Sequence, residues 1–225
     1  MGTKRLTALL LAAALAALAL TGCAAQKKTE QEDDGAMTIS PAQLSGEETA
    51  LLELLNVGLD AQRIFDFQVE GAKSAWLRAY ELVGNDWNCV VQGAVEAVDG
   101  TGRVALTFGK MAEGVRMAYS DGSGIYSREF TMEAGDISGI AFATSALTGP
   151  VSIELDREIP LVLQIGTSQG EFSTYSVDYF AMPRELAKHG YEHVYAITVT
   201  FSGSDMSASP PDGGASAPAE PTPAE

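Results

Sequence analysis

Cysteine and histidine are nearly absent from this chain, with two of each in 225 residues. Two cysteines cannot supply the disulfide framework of a small secreted scaffold. Basic side chains are scarce as well: 14 Lys and Arg stand against 30 Asp and Glu, a net charge of −16. That balance disfavours nucleic acid and an anionic membrane face as partners, since both are bound through clustered positive charge. The chain has no P-loop and no dinucleotide fingerprint. Two common routes to enzyme chemistry are therefore missing, and the one long apolar run lies at the N-terminus.

That run has the three parts of a secretory signal. Lys4 and Arg5 are followed by Leu and Ala from Leu6 to Leu20, and Thr21 and Gly22 are small enough to pass a peptidase active site. From Leu6 to Gly22 is 17 residues, short of the ~20 that a spanning helix needs. Leu20-Thr21-Gly22-Cys23, a large aliphatic residue and two small ones before a cysteine, resembles the lipobox of bacterial lipoproteins. The resemblance covers about the first tenth of the chain. It implies diacylation of Cys23 through a thioether, cleavage between Gly22 and Cys23, and in some bacteria acylation of the new N-terminus. Two acyl chains give stable anchoring where one gives only marginal binding. The expected address is the extracytoplasmic face of the cell membrane, with the lipid as the membrane contact. Lys4-Arg5 is the only basic pair before the run, which points to general secretion rather than twin-arginine export, and Leu6 stands where a myristoylation signal has Ser or Thr.

Removal of residues 1–22 takes Lys4 and Arg5 and no acid, leaving 12 bases, 30 acids and a net charge of −18. With Cys23 lipidated, Cys89 has no partner. Trp87-Asn88-Cys89-Val90-Val91 reads as a strand, so Cys89 is expected as a buried thiol acting as a small hydrophobe.

Residues 23–45 are polar and charged, and read as a disordered tether that cannot bury enough apolar area to offset chain entropy. Residues 204–225 are rich in Pro, Ala, Gly and Ser with acids and no base, the composition of a flexible acidic tail. Between them, residues 46–62 are assigned to a short helix and linker. Ser45-Gly46-Glu47-Glu48 fits a capping box directly before Leu51, Leu52, Leu54 and Leu55, and Gly58 can end the helix.

From residue 63 to 203 the apolar period becomes two. Phe65, Phe67 and Val69 alternate with polar residues, as do Val104 and Leu106, and then Val115, Met117 and Tyr119. Val151, Ile153 and Leu155 follow, then Leu161, Leu163 and Ile165, then Tyr175, Val177 and Tyr179. Tyr195, Ile197, Val199 and Phe201 close the series, opposite Ala196, Thr198 and Thr200 on an expected wet face. Turn signals such as Gly84-Asn85-Asp86 and Gly149-Pro150 separate them. Short strands at such spacing predict an all-β fold, an antiparallel β-sandwich of one domain. Pro183 to His189, closed by Gly190, predicts one helical turn before the last strand.

His189-Gly190-Tyr191-Glu192-His193 matches the inverted zinc-protease pattern H-x-x-E-H. That pattern needs a helix, so that residues four apart can reach one metal. Gly190 breaks the helix in its middle, and a helix-to-strand corner with Tyr191 packed on the sandwich is expected instead. Asp121-Gly122-Ser123-Gly124 reads as hairpin chemistry rather than a calcium loop, because acids do not recur at alternate positions. With 30 acids, no carboxylate pair can be singled out for glycosidase work. No metal or cofactor is called for.

Aromatic residues give the positive hint. Trp76 and Tyr80 fall on one face of 74–83 with Trp87 just past the turn, and Tyr126 and Phe130 share a face of 125–132. Trp76, Trp87, Tyr126 and Phe130 are the candidate ligand contacts, against the alternative that they fill the core. The expectation is a non-catalytic binding or structural lipoprotein whose partner is an envelope protein or polysaccharide. A carbohydrate-binding domain is the first alternative and an envelope hydrolase the second.

Overall fold

Strand periodicity decides the architecture. A computed structural model describes residues 36–54, 62–96, 100–121, 124–132, 135–170 and 173–207. Its strands are β1 Thr38–Pro41, β2 Gln62–Val69, β3 Ser74–Val83, β4 Asp86–Glu96, β5 Gly100–Thr107 and β6 Val115–Ser120. They continue with β7 Ile125–Phe130, β8 Ala141–Ala146, β9 Val151–Ser152, β10 Glu158–Thr167 and β11 His193–Ser202. Two antiparallel sheets result, ordered β7-β6-β5-β2-β1-β9 and β4-β3-β11-β10-β8. Among the described residues the protein is an all-β sandwich with one nine-residue helix, α1 Gly46–Leu54, and one helical turn, α2 Pro183–Ala187, before the last strand.

Between the sheets the alternating residues meet as the pattern requires. Phe65, Phe67, Val104, Leu106, Met117 and Tyr119 of the six-stranded sheet face Leu77, Ile197, Val199 and Phe201 of the other. Phe67 sits at the centre, its ring 4.9 Å from Phe201 and 5.4 Å from Tyr119. Its cross-strand neighbour is Gly102, and a Cβ there would run into both the Phe67 ring and the Ser120 carbonyl oxygen. Glycine at this position makes room for the largest side chain of the contact.

Several expectations are corrected. Ala196, Thr198 and Thr200, assigned to a wet face, are all buried. Part of the outer face of the five-stranded sheet is covered by a 3-10 turn, Val177–Ala181, and by α2, which bring Val177, Phe180 and Leu186 onto Leu163, Ile165 and Ala196. That turn occupies the stretch read as a strand through Tyr175, Val177 and Tyr179. Leu161, Leu163 and Ile165 do not share a face, because the ladder shifts between Pro160 and Val162. The bulge sends Leu161 into the inter-sheet core and leaves Leu163 and Ile165 outside it.

The expected tether also contributes to the fold. β1 pairs with β2 on one side and β9 on the other, and Ile39 is fully buried. The capping box forms: Ser45 N–H donates to Glu48 Oε2 at 2.7 Å and Glu48 N–H to Ser45 Oγ at 3.2 Å. No residue of α1 is buried and Leu54 is 81% exposed, so its leucines do not hold it in place. Arg103 does, bonding Glu48 at 2.5 Å and Asp66 of β2 at 2.6 Å. The reading of 204 as the start of the tail also shifts: Ser74 Oγ donates to the Ser204 carbonyl at 2.8 Å, and Ser204 N–H to Ser202 Oγ at 3.1 Å.

Candidate functional site

Two edge strands, β7 of one sheet and β4 of the other, border the same side of the sandwich and leave a groove of about 740 Å3 between them. Pleating decides what enters it. On β7, Tyr126, Arg128 and Phe130 lie opposite Tyr119, Met117 and Val115 of β6, and cross-strand partners share a face. Those β6 residues point into the core, so the three β7 side chains point into the gap, while Glu129 is exposed and lies outside the groove's lining. On β4, Gly93 lies opposite Leu77 and Val95 opposite Ala75, both inward. A Cβ on Gly93 would sit 3.5 Å from Phe130 Cζ, so this glycine lets the Phe130 ring approach the opposite strand. Met206, just past β11, completes one end.

The groove is apolar and aromatic with one cation. Arg128 is the only basic side chain in its lining and takes part in none of the ion pairs among the described residues. Tyr119 also lines it, and its hydroxyl is buried without a hydrogen-bond partner among the described residues. Desolvation pushes the pKa of that phenol far up, with Asp121 and Tyr126 adding to the effect.

The four candidate aromatics separate. Tyr126 and Phe130 come together in the groove, and Tyr126 is 53% exposed. Trp76 belongs to a strand that also lines it, yet it alternates with the inward Ala75 and Leu77 and is 8% exposed. Its indole N–H donates to Ser74 Oγ at 3.1 Å and Arg78 lies 5.8 Å from its ring centre. Trp87 is elsewhere: it donates to the Phe180 carbonyl at 2.7 Å and stacks on the Phe180 ring at 5.1 Å. No single platform contains all four. Cys23 lies outside the described residues.

Buried polar groups form a cluster on β3, β10 and β11 that sequence reading missed. Glu158 Oε1 accepts from Tyr80 Oη at 2.8 Å, Thr198 Oγ1 at 2.6 Å and Arg78 Nη1 at 3.4 Å. Alternation assigned Thr198 to a solvated face, and only the tertiary covering made its pairing with Glu158 necessary. Gln164, fully buried, was also missed; it ties the 3-10 turn Met111–Glu113 to the sheet by accepting from Met111 N–H at 2.6 Å.

Cys89 is exposed rather than buried, because β4 is an edge strand. Such desolvation as the sulfur undergoes pushes its pKa up, with Arg78 pulling the other way, so the thiolate fraction is low. The histidines point into different clusters. His189 stacks on Tyr191 at 5.5 Å and lies 5.3 Å from Tyr175, while His193 opens β11 and stacks on Tyr195 at 5.9 Å. Gly190 between them has φ +63° and ends the helical turn, and Tyr191 packs on the sandwich as expected. Gly124 N–H bonds Asp121 Oδ1 at 3.2 Å, a turn interaction.

No protein-family model, curated protein or solved structure matches the chain.

Proposed function

We propose that this chain is a lipid-anchored, extracytoplasmic binding module, held by Cys23 and acting without catalysis on an envelope component. The lipobox supports the anchor. The observation that carries the binding role is the β7–β4 groove, where Tyr126, Phe130 and Arg128 project from an edge strand into an apolar gap. Its volume is within the range of ligand sites. Both bordering strands are sheet edges whose backbone donors and acceptors can pair with an extended segment.

The test is a photo-crosslinking amino acid placed at position 126 or at position 129 in the intact lipoprotein in its membrane. Adducts with an envelope macromolecule are expected from position 126 and not from position 129, which lies outside the groove's lining. Equal yields from both positions, or none from 126, would refute the groove as the binding surface. Cys23→Ser should release the protein from the membrane fraction; retention would remove the anchor.

A further inference from the structure

The described chain ends at Ser207, one residue after Met206, which forms one end of the groove. Eighteen residues follow, 208–225, with prolines at 210, 211, 218, 221 and 223, acids at 212, 220 and 225, and no base. We propose that this C-terminal segment is the resident occupant of the β7–β4 groove, lying along Tyr126 and Phe130 with an acid near Arg128. The inference rests on the groove being a binding surface and names what fills it.

Four properties match. The first is reach. Residues 208–212 in the polyproline conformation would span roughly 15 Å, enough to cover the roughly 13 Å from Tyr126 to Phe130 along β7. The second is shape. Proline-rich segments lose little entropy on docking and are taken up by aromatic grooves. The third is charge. Arg128 carries the groove's one positive charge, whereas the segment carries only negative side chains, and the molecule as a whole is strongly acidic. The fourth is hydrogen bonding. Proline has no N–H to leave unpaired when buried, while its carbonyl remains free to accept. Attachment at Ser207 adds an effective concentration in the millimolar range, so even weak contacts hold the segment in place.

The experiment compares residues 24–225 with the same chain ending at Ser207, by backbone amide NMR. Loss of the segment should shift amides at 92–95 and 126–130 as well as at 203–207. A synthetic peptide of residues 208–225, added to the shortened chain, should restore those shifts saturably and more weakly at high salt. Tyr126→Ala should weaken that peptide about tenfold. Shifts confined to 203–207, or peptide binding indifferent to Tyr126→Ala, would overturn the proposal. So would groove shifts that depend on protein concentration, which would assign the groove to a neighbouring copy's segment. If the groove shifts are absent while crosslinks from position 126 persist, this inference fails and the binding-module reading stands. Groove shifts without any crosslink give the converse.

Discussion

Arg78 and Glu158 make a buried ion pair on the outer face of the five-stranded sheet, with side chains 4% and 6% exposed. Arg78→Met keeps most of the aliphatic volume and removes the guanidinium. The carboxylate then loses its cation, and breaking a buried pair from one side costs about 3–5 kcal/mol. Two details set the value at the lower end. The contact is a single one at 3.4 Å, and Tyr80 and Thr198 continue to donate to the same oxygen at 2.8 and 2.6 Å. An expected loss of about 3 kcal/mol corresponds to a fall in Tm of roughly 6–12 °C for a domain of this size. Glu158→Gln keeps an acceptor for both hydroxyls but buries an amide N–H2 where Glu158 Oε2 has no partner among the described residues, at a cost of about 1–3 kcal/mol. The double variant should lose less than the two together, with a coupling of about 1–2 kcal/mol. Denaturant unfolding of the four proteins at neutral pH measures it. A loss below about 1 kcal/mol for Arg78→Met, or strict additivity, would refute the reasoning, because the pair would then behave like a hydrated surface ion pair.

Three further outcomes follow from the fold. Glu48 titrates at about 2 rather than 4.5, held down chiefly by the Ser45 backbone N–H and then by Arg103. A lowered folded pKa means that its stabilisation of α1 is complete above about pH 4.5 and is lost as pH falls toward 2. Carboxyl NMR should show Arg103→Gln raising the midpoint only part of the way, since the backbone bond remains; no change would contradict the Arg103 contact. Gly102→Ala should destabilise by about 1–3 kcal/mol in thermal melts, because the new methyl overlaps backbone at Ser120 as well as the Phe67 ring. A chain beginning at residue 63 should unfold more readily than one beginning at Ala36, by at least the 2–5 kcal/mol typical of losing a buried Ile, since it lacks β1 and Ile39 between β2 and β9.

The chain by itself determined the class of fold and much of its core. Period-two alternation is a local property, and Phe65, Phe67, Val104, Met117, Ile197 and Phe201 had only to follow it to meet between the sheets. The capping box at Ser45 and the helix break at Gly190 were equally legible, because both are short-range hydrogen-bond and backbone effects. What alternation cannot carry is the identity of the second layer. It placed Thr198 and Thr200 in water, and the helical turns packed on that sheet are a tertiary fact. A four-residue strand such as β1, with one fully buried apolar side chain, is too weak a signal against charged neighbours; two partner strands supply the pairing that defines it. The candidate site divides in the same way. Tyr126 and Phe130 were found because residues four apart on one strand share a face. Arg128 between them, and Gly93 and Met206 across the gap, were invisible until the sheets were stacked. Which strands become edges is set by the order of pairing along the whole chain. That order decides that Cys89 is exposed and that Trp87 packs on Phe180, leaving Tyr126 and Phe130 at the mouth of a groove.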